Sequence, residues 1–404
     1  MQDSVTGALG SDTTPPSEAP TEPGSASPLP PPRIPRVIPP VIGVDSLDWD
    51  QVRAAADPAA VRARMHRAVE ALELLLDAPG GPRMLFDADR GDLDDRAIQV
   101  GASSAAGPLW VVGDLHGDLL ALEGALAQIR AHDDADAGHG APARIVFLGD
   151  FFDDEGYGLE VLVRVFELIL AMPGQVCTIA GNHDEALGFD GSRFSSSVSP
   201  SDFADQLNAN LAHEWMVRTA KLAIRLTARA PRALFFPHGL LIAHGGFPLS
   251  DLHGKLEQTG DWNDPAVLAD FVWARAHPKA RLKMPNRFSR GSQFGWQDFA
   301  NFCALATRLG RPVTHMVRGH DHPDERYAVY PAYNAHPLVT TVALSRRLPR
   351  EQFGPQERAP TLVRVSDDGV PQILQLHFPP GMVSDYFPER AMDAGAAAEG
   401  DEPS

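Results

Sequence analysis

The middle of the chain alternates short apolar runs with longer stretches of helical periodicity. Short runs rich in Val, Ile and Leu predict buried strands, and apolar spacings of three and four predict helices that bury one face. The predicted elements follow one another as a strand at 109–112, a helix at 119–129, a strand at 145–148, a helix at 159–171 and a strand at 176–180. This order predicts a β-α-β-α-β unit, in which helical connections join parallel strands.

Elements on both sides extend this unit. Asp57 suits a helix N-cap with Pro58 at the first helical position, and the apolar face from Val61 to Leu76 predicts one continuous helix. Pro79 and the glycines after it end that helix. Downstream, the pattern predicts a mostly helical insertion at about 200–230 and further strands at 240–243, 313–317, 338–343 and 361–365.

Many of the predicted strands end in a glycine next to a side chain that can bind metal. The strand ends carry Asp114 and His116, Asp150 and Asp153, Asn182 and His183, His244, and His320. Ligand sites in parallel sheets lie beyond the carboxyl ends of the strands, so these side chains are expected to converge. Carboxylate, imidazole and amide donors without a thiolate suit a divalent ion such as Mn, Fe or Zn, and give no reason to expect a structural zinc site.

Taken together, these strand ends resemble a known family. They read Gly113-Asp114-Leu115-His116-Gly117, Gly149-Asp150-Phe151-Phe152-Asp153, Gly181-Asn182-His183-Asp184, His244-Gly245-Gly246 and Arg318-Gly319-His320, with Trp273 and Arg290-Gly291-Ser292 between the last two. This series is similar to that of the phosphoprotein phosphatase family of calcineurin-like metallophosphoesterases, over roughly residues 107–345. The resemblance implies an α/β fold of the calcineurin-like class: a β-sandwich flanked by helices, with a dimetal site at the strand ends.

The resemblance also implies a role for each site residue. Asp114 and His116 would bind the first metal ion, Asp150 would bridge both ions, and Asn182, His244 and His320 would complete the second site. The two ions would hold a bridging hydroxide that attacks phosphorus. His183 would be the general acid and Asp153 the carboxylate that orients it, while Arg290 and Asn182 would contact the substrate phosphate.

The sequence departs from the family beside the expected phosphate site. Asp154-Glu155-Gly156 follows Asp153 where the family usually has Arg-Gly, so two anions replace a phosphate-holding cation. Such a change is expected to weaken phosphate binding. Arg193, Arg346 and Arg347 are candidates to compensate, but we interpret them as surface charges.

Further departures bear on the substrate or on nearby residues. Asp184 stands where eukaryotic protein phosphatases commonly have Glu, and Ser345-Arg346-Arg347 replaces their Ser-Ala-Pro-Asn-Tyr stretch. His322 lies in the turn after His320, and we interpret it as a supporting or surface histidine rather than a ligand.

Composition narrows the function classes. Lys and Arg number 35 against 53 Asp and Glu, a formal net charge of −18, which disfavours nucleic acid and anionic membranes as partners. No apolar stretch approaches the roughly 18 residues of a membrane helix, and the first residues do not resemble a signal peptide. The two cysteines, Cys177 and Cys303, cannot form a disulfide framework. We therefore expect a cytoplasmic protein.

The chain divides by composition into four parts. Residues 1–45, with 11 of the 36 prolines, predict a disordered Pro-rich arm whose partner, if it has one, the sequence does not name. Residues 46–106 predict an N-terminal helical flank, 107–380 the catalytic domain and 381–404 an acidic disordered tail.

The favoured hypothesis is a dimetal phosphomonoesterase similar to serine/threonine protein phosphatases, acting on a phosphorylated protein or a small phosphoester. One alternative is a hydrolase of dinucleoside polyphosphates such as diadenosine tetraphosphate. The other is a catalytically weakened phosphate-sensing or scaffold protein, which Asp154 and Glu155 suggest and which the intact Asp153 and His183 disfavour.

Overall fold

The computed structural model of this protein describes residues 39, 41–42, 46–136, 142–280, 284–285 and 291–388. Arg290, most of the predicted Pro-rich arm and the acidic tail beyond residue 388 lie outside the described residues. Among the helices that the structure describes, none is both long and apolar enough to cross a membrane.

Two six-stranded sheets form the centre of the fold. The first sheet has the order β1 (Val41–Ile42), β17 (Pro371–Leu376), β16 (Thr361–Val365), β3 (Leu109–Val112), β4 (Arg144–Phe147) and β5 (Val176–Thr178). The second has the order β14 (Tyr327–Val329), β15 (Leu338–Thr341), β13 (His315–Arg318), β9 (Leu240–Ala243), β8 (Ala233–Phe235) and β2 (Ala97–Gln99). Strands β3, β4 and β5 pair in parallel, as the β-α-β-α-β pattern predicts.

The central strands carry apolar side chains on both sides. The inner faces of the two sheets pack against each other, and the outer faces pack against helices. Val111 and Val146 of the first sheet meet Ile242 and Val317 of the second in a buried inter-sheet core. Alternate residues of the same strands, such as Trp110, point outward to the helices. This double burial explains why the strands read as continuous apolar runs rather than as alternating ones.

Helices cover the outer face of each sheet. Those against the first sheet are α1 (Trp49–Ala55), α2 (Pro58–Arg62), α3 (Met65–Asp77), α5 (Leu119–Asp136), α6 (Gly158–Ala171), α8 (Asp202–Ala209) and α9 (Glu214–Arg229), with α13 (Met382–Tyr386) at its edge. Those against the second sheet are α10 (Ser250–Thr259), α11 (Pro265–Trp273) and α12 (Trp296–Arg308). The predicted insertion at about 200–230 is helical, being formed by α8 and α9.

Short elements complete the described chain. They are the helices α4 (Ala102–Ala105) and α7 (Asn182–Ala186), the 3₁₀ turns Asp87–Asp89 and Pro331–Tyr333, and the strands β6 (Gly188–Phe189), β7 (Phe194–Ser195), β10 (Arg275–Ala276), β11 (Met284–Pro285) and β12 (Ser292–Phe294). Strands β6 and β7 form a hairpin, and β10, β12 and β11 form a three-stranded sheet.

The predicted helix over residues 57–76 is interrupted in the structure. Asp57 caps α2 as expected, accepting hydrogen bonds from the N–H groups of Ala59 and Ala60. The helix then tightens at Arg64, whose N–H donates to the carbonyl of Val61 rather than four residues back, and α3 starts at Met65. The prediction of one continuous helix is therefore wrong. Val61 and Met65 are both buried, so the apolar periodicity continues across the break and hides it.

Replacing a buried leucine of the inter-sheet core should cost far more stability than replacing an exposed one. We expect Leu240→Ala, at a fully buried position, to lower the free energy of unfolding by about 2–5 kcal/mol, because a cavity remains between the sheets. Leu74→Ala makes the same chemical change on α3 at a side chain that is 72% exposed, and should change stability by no more than about 0.5 kcal/mol. Urea unfolding of both variants measures the difference. Equal costs would contradict the assignment of Leu240 to the core.

Candidate metal centre

The polar ends of five strands meet between the two sheets. Strands β3, β4 and β5 supply Asp114 and His116, Asp150 and Asp153, and Asn182 and His183, while β9 and β13 supply His244 and His320. All of these side chains are buried. The structure therefore brings together every site residue that the sequence singled out except Arg290, which lies outside the described residues.

The ligand-type side chains form three overlapping groups, each with its ligand atoms within 4.8 Å of one another. The groups are Asp114, His116 and His322; His116, Asp150 and His183; and Asp150, His244 and His320. His116 and Asp150 each belong to two groups, so the donors form one continuous cluster. A carboxylate shared between neighbouring groups is suited to bridging two metal ions.

Backbone N–H groups of neighbouring loops hold two of these carboxylates. Asp114 Oδ2 accepts a hydrogen bond from the N–H of His320 at 2.9 Å, which links the ends of the two sheets. Asp150 Oδ1 accepts from the N–H of His183, also at 2.9 Å. Asp114 Oδ2 also faces His322 Nε2 at 2.9 Å, and Asp150 keeps Oδ2 directed towards the histidines, so backbone hydrogen bonds fix both carboxylates within the cluster.

Two imidazoles are oriented in a similar way by backbone carbonyls. His116 Nδ1 lies 3.1 Å from the carbonyl oxygen of Phe152, and His244 Nδ1 lies 2.9 Å from that of Leu148. A proton on each Nδ1 satisfies these acceptors and leaves the lone pair on Nε2. Both Nε2 atoms face Asp150 Oδ2, at 3.6 Å and 3.4 Å respectively. Hydrogen bonds of this kind set the tautomer and ring orientation of metal-binding histidines.

The electrostatics of the cluster fit a bound cation. Burial by itself lowers the pKa of His244, but the charges of Asp150 and Asp114 outweigh it and raise that pKa to about 9. Asn182 Oδ1 lies 3.1 Å from His244 Nε2, so it faces the same position. His320 Nε2 is buried without a hydrogen-bond partner in the described part of the chain. A divalent ion would take the place of the imidazole proton and accept electron pairs from His244, His320 and Asn182. The residues therefore fit metal binding.

His183 and Asp153 form a close pair beside the cluster. His183 Nδ1 lies 2.6 Å from Asp153 Oδ2, and Asp153 Oδ1 accepts from the N–H of Phe203 on α8 at 3.0 Å. Burial lowers the pKa of His183, but the charge of Asp150 and the hydrogen bond to Asp153 more than compensate and raise it above its usual value. The pair can therefore present a proton on the other ring nitrogen of His183.

The family assignment rests on a match to more than half of the chain. The model of the calcineurin-like phosphoesterase family matches residues 107–324. The chain belongs to the calcineurin-like phosphoesterases. The family and the fold class expected from the sequence are thereby confirmed: two packed sheets flanked by helices, with the ligand cluster at the strand ends.

Individual relatives are more distant. The serine/threonine-protein phosphatase 6 catalytic subunit of Caenorhabditis elegans is 29% identical over 247 residues, which are 58% of this chain and 65% of that protein. The chain thus spans just under two thirds of the relative's length.

Solved structures show a looser likeness. A protein serine/threonine phosphatase from Saccharomyces cerevisiae matches with a TM-score of 0.45 and 15% identity, over 80% of this chain and 91% of that one. A cold-active protein-tyrosine phosphatase of a psychrophilic Shewanella species matches with a TM-score of 0.40 and 16% identity, over 71% of this chain and 85% of that one. With TM-scores below 0.5, neither likeness adds to the assignment of this calcineurin-like phosphoesterase.

The structure adds His322 to the centre of this calcineurin-like phosphoesterase. Its Nε2 lies 2.9 Å from Asp114 Oδ2, and its ring packs edge-on against that of His116. The interpretation of His322 as a surface residue is wrong. A signal for it was present in the sequence, because His320 and His322 are separated by two positions, as are Asp114 and His116.

Arg346 is likewise not the surface charge that we expected. It is buried, and its Nη2 donates to the backbone carbonyls of His116 at 3.1 Å and of Asp154 at 2.8 Å. It therefore ties two strand-end loops together. Arg193 is exposed as expected, in the turn between β6 and β7.

Asp184 joins two of the strand-end loops at their closest approach. Its Oδ2 accepts from the N–H of Asp150 at 2.7 Å and from that of Gly181 at 2.9 Å. Burial and the charge of Asp150 raise the pKa of Asp184 to about 6. Gly149 permits this approach, because it has a φ of +94° and a Cβ there would lie 2.2 Å from the nitrogen of Gly181.

Substituting Gly149 tests whether this close packing holds the ligands in place. Gly149→Ala should sharply reduce metal uptake, because the added Cβ would push apart the loops that carry Asp150 and Asn182. Gly191→Ala is the matched control, with a φ of +102° but open space around the new Cβ, and should cost only the roughly 1–3 kcal/mol of backbone strain. Metal content after dialysis and urea unfolding measure the two effects. Equal metal content in both variants would contradict the prediction.

Proposed function

We propose that the protein is a dimetal phosphomonoesterase that removes phosphate from phosphoserine or phosphothreonine. The observation that carries the proposal is the His183–Asp153 pair, 2.6 Å apart, next to the cluster of metal ligands. A cluster that only bound metal or phosphate would have no chemical need for an oriented imidazole acid. The retained pair therefore also argues against a purely phosphate-sensing or scaffold protein.

The ligand set is proposed residue by residue. Asp114, His116 and Asp150 would hold one ion, and Asp150, Asn182, His244 and His320 the other, with His322 as an added ligand or support for the first. When bound, the ions would supply positive charge to the phosphoryl oxygens and a water of lowered pKa as the nucleophile. The oxygen and nitrogen donors suit Mn, Fe or Zn, and the choice among these metals stays a proposal.

The remaining steps belong to the side chains of the chain itself. Asn182 would donate from its amide to the substrate phosphate, while its oxygen faces the cluster. His183 would protonate the leaving oxygen of the serine or threonine side chain as the ester bond to phosphorus breaks. Asp153 would stabilise the positive charge of His183 before that transfer and hold its ring in place. Arg290 remains a proposed phosphate contact.

The proposal of a phosphorylated protein as substrate rests on the relative from Caenorhabditis elegans, whose name gives it as a serine/threonine-protein phosphatase.

We also propose a cytoplasmic location for the protein. Cys177 and Cys303 are buried and unpaired, which fits a compartment where thiols stay reduced. The limits of the catalytic domain at 107–380 and a partner for the Pro-rich arm stay predictions.

Two substitutions should separate metal binding from proton transfer. Asp114→Asn is expected to lose bound metal and activity together, because it removes a ligand charge. His183→Asn is expected to keep its metal and to lose roughly 100-fold or more in kcat, because general acid catalysis contributes about that much. Metal analysis and hydrolysis of a phosphopeptide measure both. Asp205→Asn, at an exposed site on α8, is the control that should match wild type. Wild-type turnover in both test variants would refute the mechanism.

The substrate class is tested directly with the Mn²⁺-loaded protein. We expect faster phosphate release from a phosphoserine or phosphothreonine peptide than cleavage of diadenosine tetraphosphate, because the proposed acid protonates a single alkoxide leaving group. Faster cleavage of the dinucleotide would favour the dinucleoside polyphosphate hydrolase instead. A tyrosine-phosphorylated peptide of the same sequence shows whether the leaving group must be aliphatic.

A further inference from the structure

Arg350 reaches the metal centre from a loop that the sequence analysis passed over. Its Nη2 lies 3.1 Å from Asp154 Oδ2 and 3.3 Å from both His116 Nε2 and His322 Nδ1. The side chain is 34% exposed, so it sits at the mouth of the site, with one end on the ligands and the other open to solvent. Every contact of Arg350 within the described chain uses Nη2, which leaves Nη1 and Nε available as donors.

The loop that carries Arg350 is fixed on both sides. Glu351 accepts two hydrogen bonds from buried Arg326, at 2.7 Å and 2.8 Å, and a third from the N–H of Leu348 at 3.0 Å. Leu348 is itself buried. The fixed loop keeps the backbone of Arg350 at the mouth of the site before substrate arrives. Its guanidinium has to release His116 Nε2 when that nitrogen binds a metal ion, which frees Nη2 as a further donor.

Asp154 is fixed equally firmly. It has a φ of +61°, its N–H donates to Asp202 Oδ1 at 2.9 Å, and its carbonyl accepts from Arg346. Its carboxylate is buried, and Oδ2 lies 3.1 Å from Arg350 Nη2 and also 3.1 Å from His116 Nδ1. An anion at this position would repel a phosphate if it stood alone, but beside Arg350 it serves as the counter-charge of the guanidinium.

The other arginines near the centre bond to backbone carbonyls or to Asp321 rather than to the ligand-type imidazoles. Arg346 bonds to two backbone carbonyls, and Arg275 Nη1 bonds to the carbonyl of His320 and to Asp321. Arg318 is fully buried and bonds to Asp321 and to backbone carbonyls. Of these four arginines, Arg350 alone has a guanidinium that contacts ligand-type imidazoles and is also partly open to solvent.

We propose that Arg350 binds the phosphoryl oxygens of the substrate, and that Asp154 is a positioning residue that orients its guanidinium. The inference rests on the proposed phosphatase function and identifies the cation that offsets Asp154. Paired N–H donors of arginine match phosphate oxygens, and such charge-assisted bonds are among the strongest in proteins. No covalent step is assigned to Arg350, which neutralises charge on the phosphoryl group while the ester bond breaks.

Phosphate affinity tests the inference without relying on turnover. We expect Arg350→Gln in the full chain loaded with Mn²⁺ to bind inorganic phosphate roughly 10- to 100-fold more weakly by calorimetry, with unchanged metal content, because one charged contact is lost. Its KM for a phosphopeptide should rise with its phosphate Kd. Arg350→Lys should recover part of the loss, since a lysine keeps the charge but not the paired donors. Arg347→Gln removes the same charge in the same loop and should bind phosphate as wild type does.

The outcomes separate this inference from the proposed function. If wild type binds phosphate and hydrolyses phosphoesters while Arg350→Gln binds phosphate equally well, the inference fails and the phosphatase proposal stands. If wild type neither binds phosphate nor hydrolyses any phosphoester, both fail. A loss in Arg347→Gln equal to that in Arg350→Gln would also overturn the inference, because a general charge effect would then explain both.

Double substitution tests the part assigned to Asp154. Asp154→Asn should weaken phosphate binding less than Arg350→Gln does, because the guanidinium remains but is less well oriented. The double variant should bind phosphate as Arg350→Gln does and should keep the metal content of wild type, because Asp154 then acts through Arg350 and not through its contact with His116. Additive losses would contradict the positioning role. So would tighter phosphate binding by Asp154→Asn, which would mean that the carboxylate faces the phosphate itself.

Discussion

The site depends on hydrogen bonds that run from backbone N–H groups of one strand-end loop to a carboxylate on the next. Asp114 accepts from His320 across the two sheets, and Asp150 accepts from the loop of His183. These bonds fix the position of the ligand-type carboxylates. They also offset the cost of burying several carboxylates close together, because a buried charge without such partners is strongly destabilising. The packing of the two sheets against each other fixes the relative positions of the five strand-end loops that carry the ligand-type side chains.

The centre balances charge by contacts between distant parts of the chain. Asp154 follows Asp153 directly, and in isolation it would make the proposed phosphate site more negative. The loop after β15 returns Arg346 and Arg350 to the same place, one buried under the loops and one open at the mouth. The formal charge of the whole protein, −18, therefore says little about the local field that a phosphate would meet.

Much of this could be read from the sequence because its signals are local. The strands Leu109–Val112, Leu240–Ala243 and Thr361–Val365 have the bounds that the apolar runs predict. The polar residues after the strands were identified from their spacing, since the carboxyl ends of parallel strands share one edge of a sheet. The break at Arg64 was missed because one tighter turn leaves the apolar periodicity unchanged.

What the sequence by itself determined was the central β-α-β-α-β unit, the family and the set of ligand-type side chains. Only the tertiary structure decided which further residues join them: His322, the buried Arg346, and Arg350 against Asp154. Asp154 and Arg350 are nearly two hundred residues apart, and no local pattern links them. Their contact follows from the packing of one sheet on the other, which brings together loops from opposite ends of the chain.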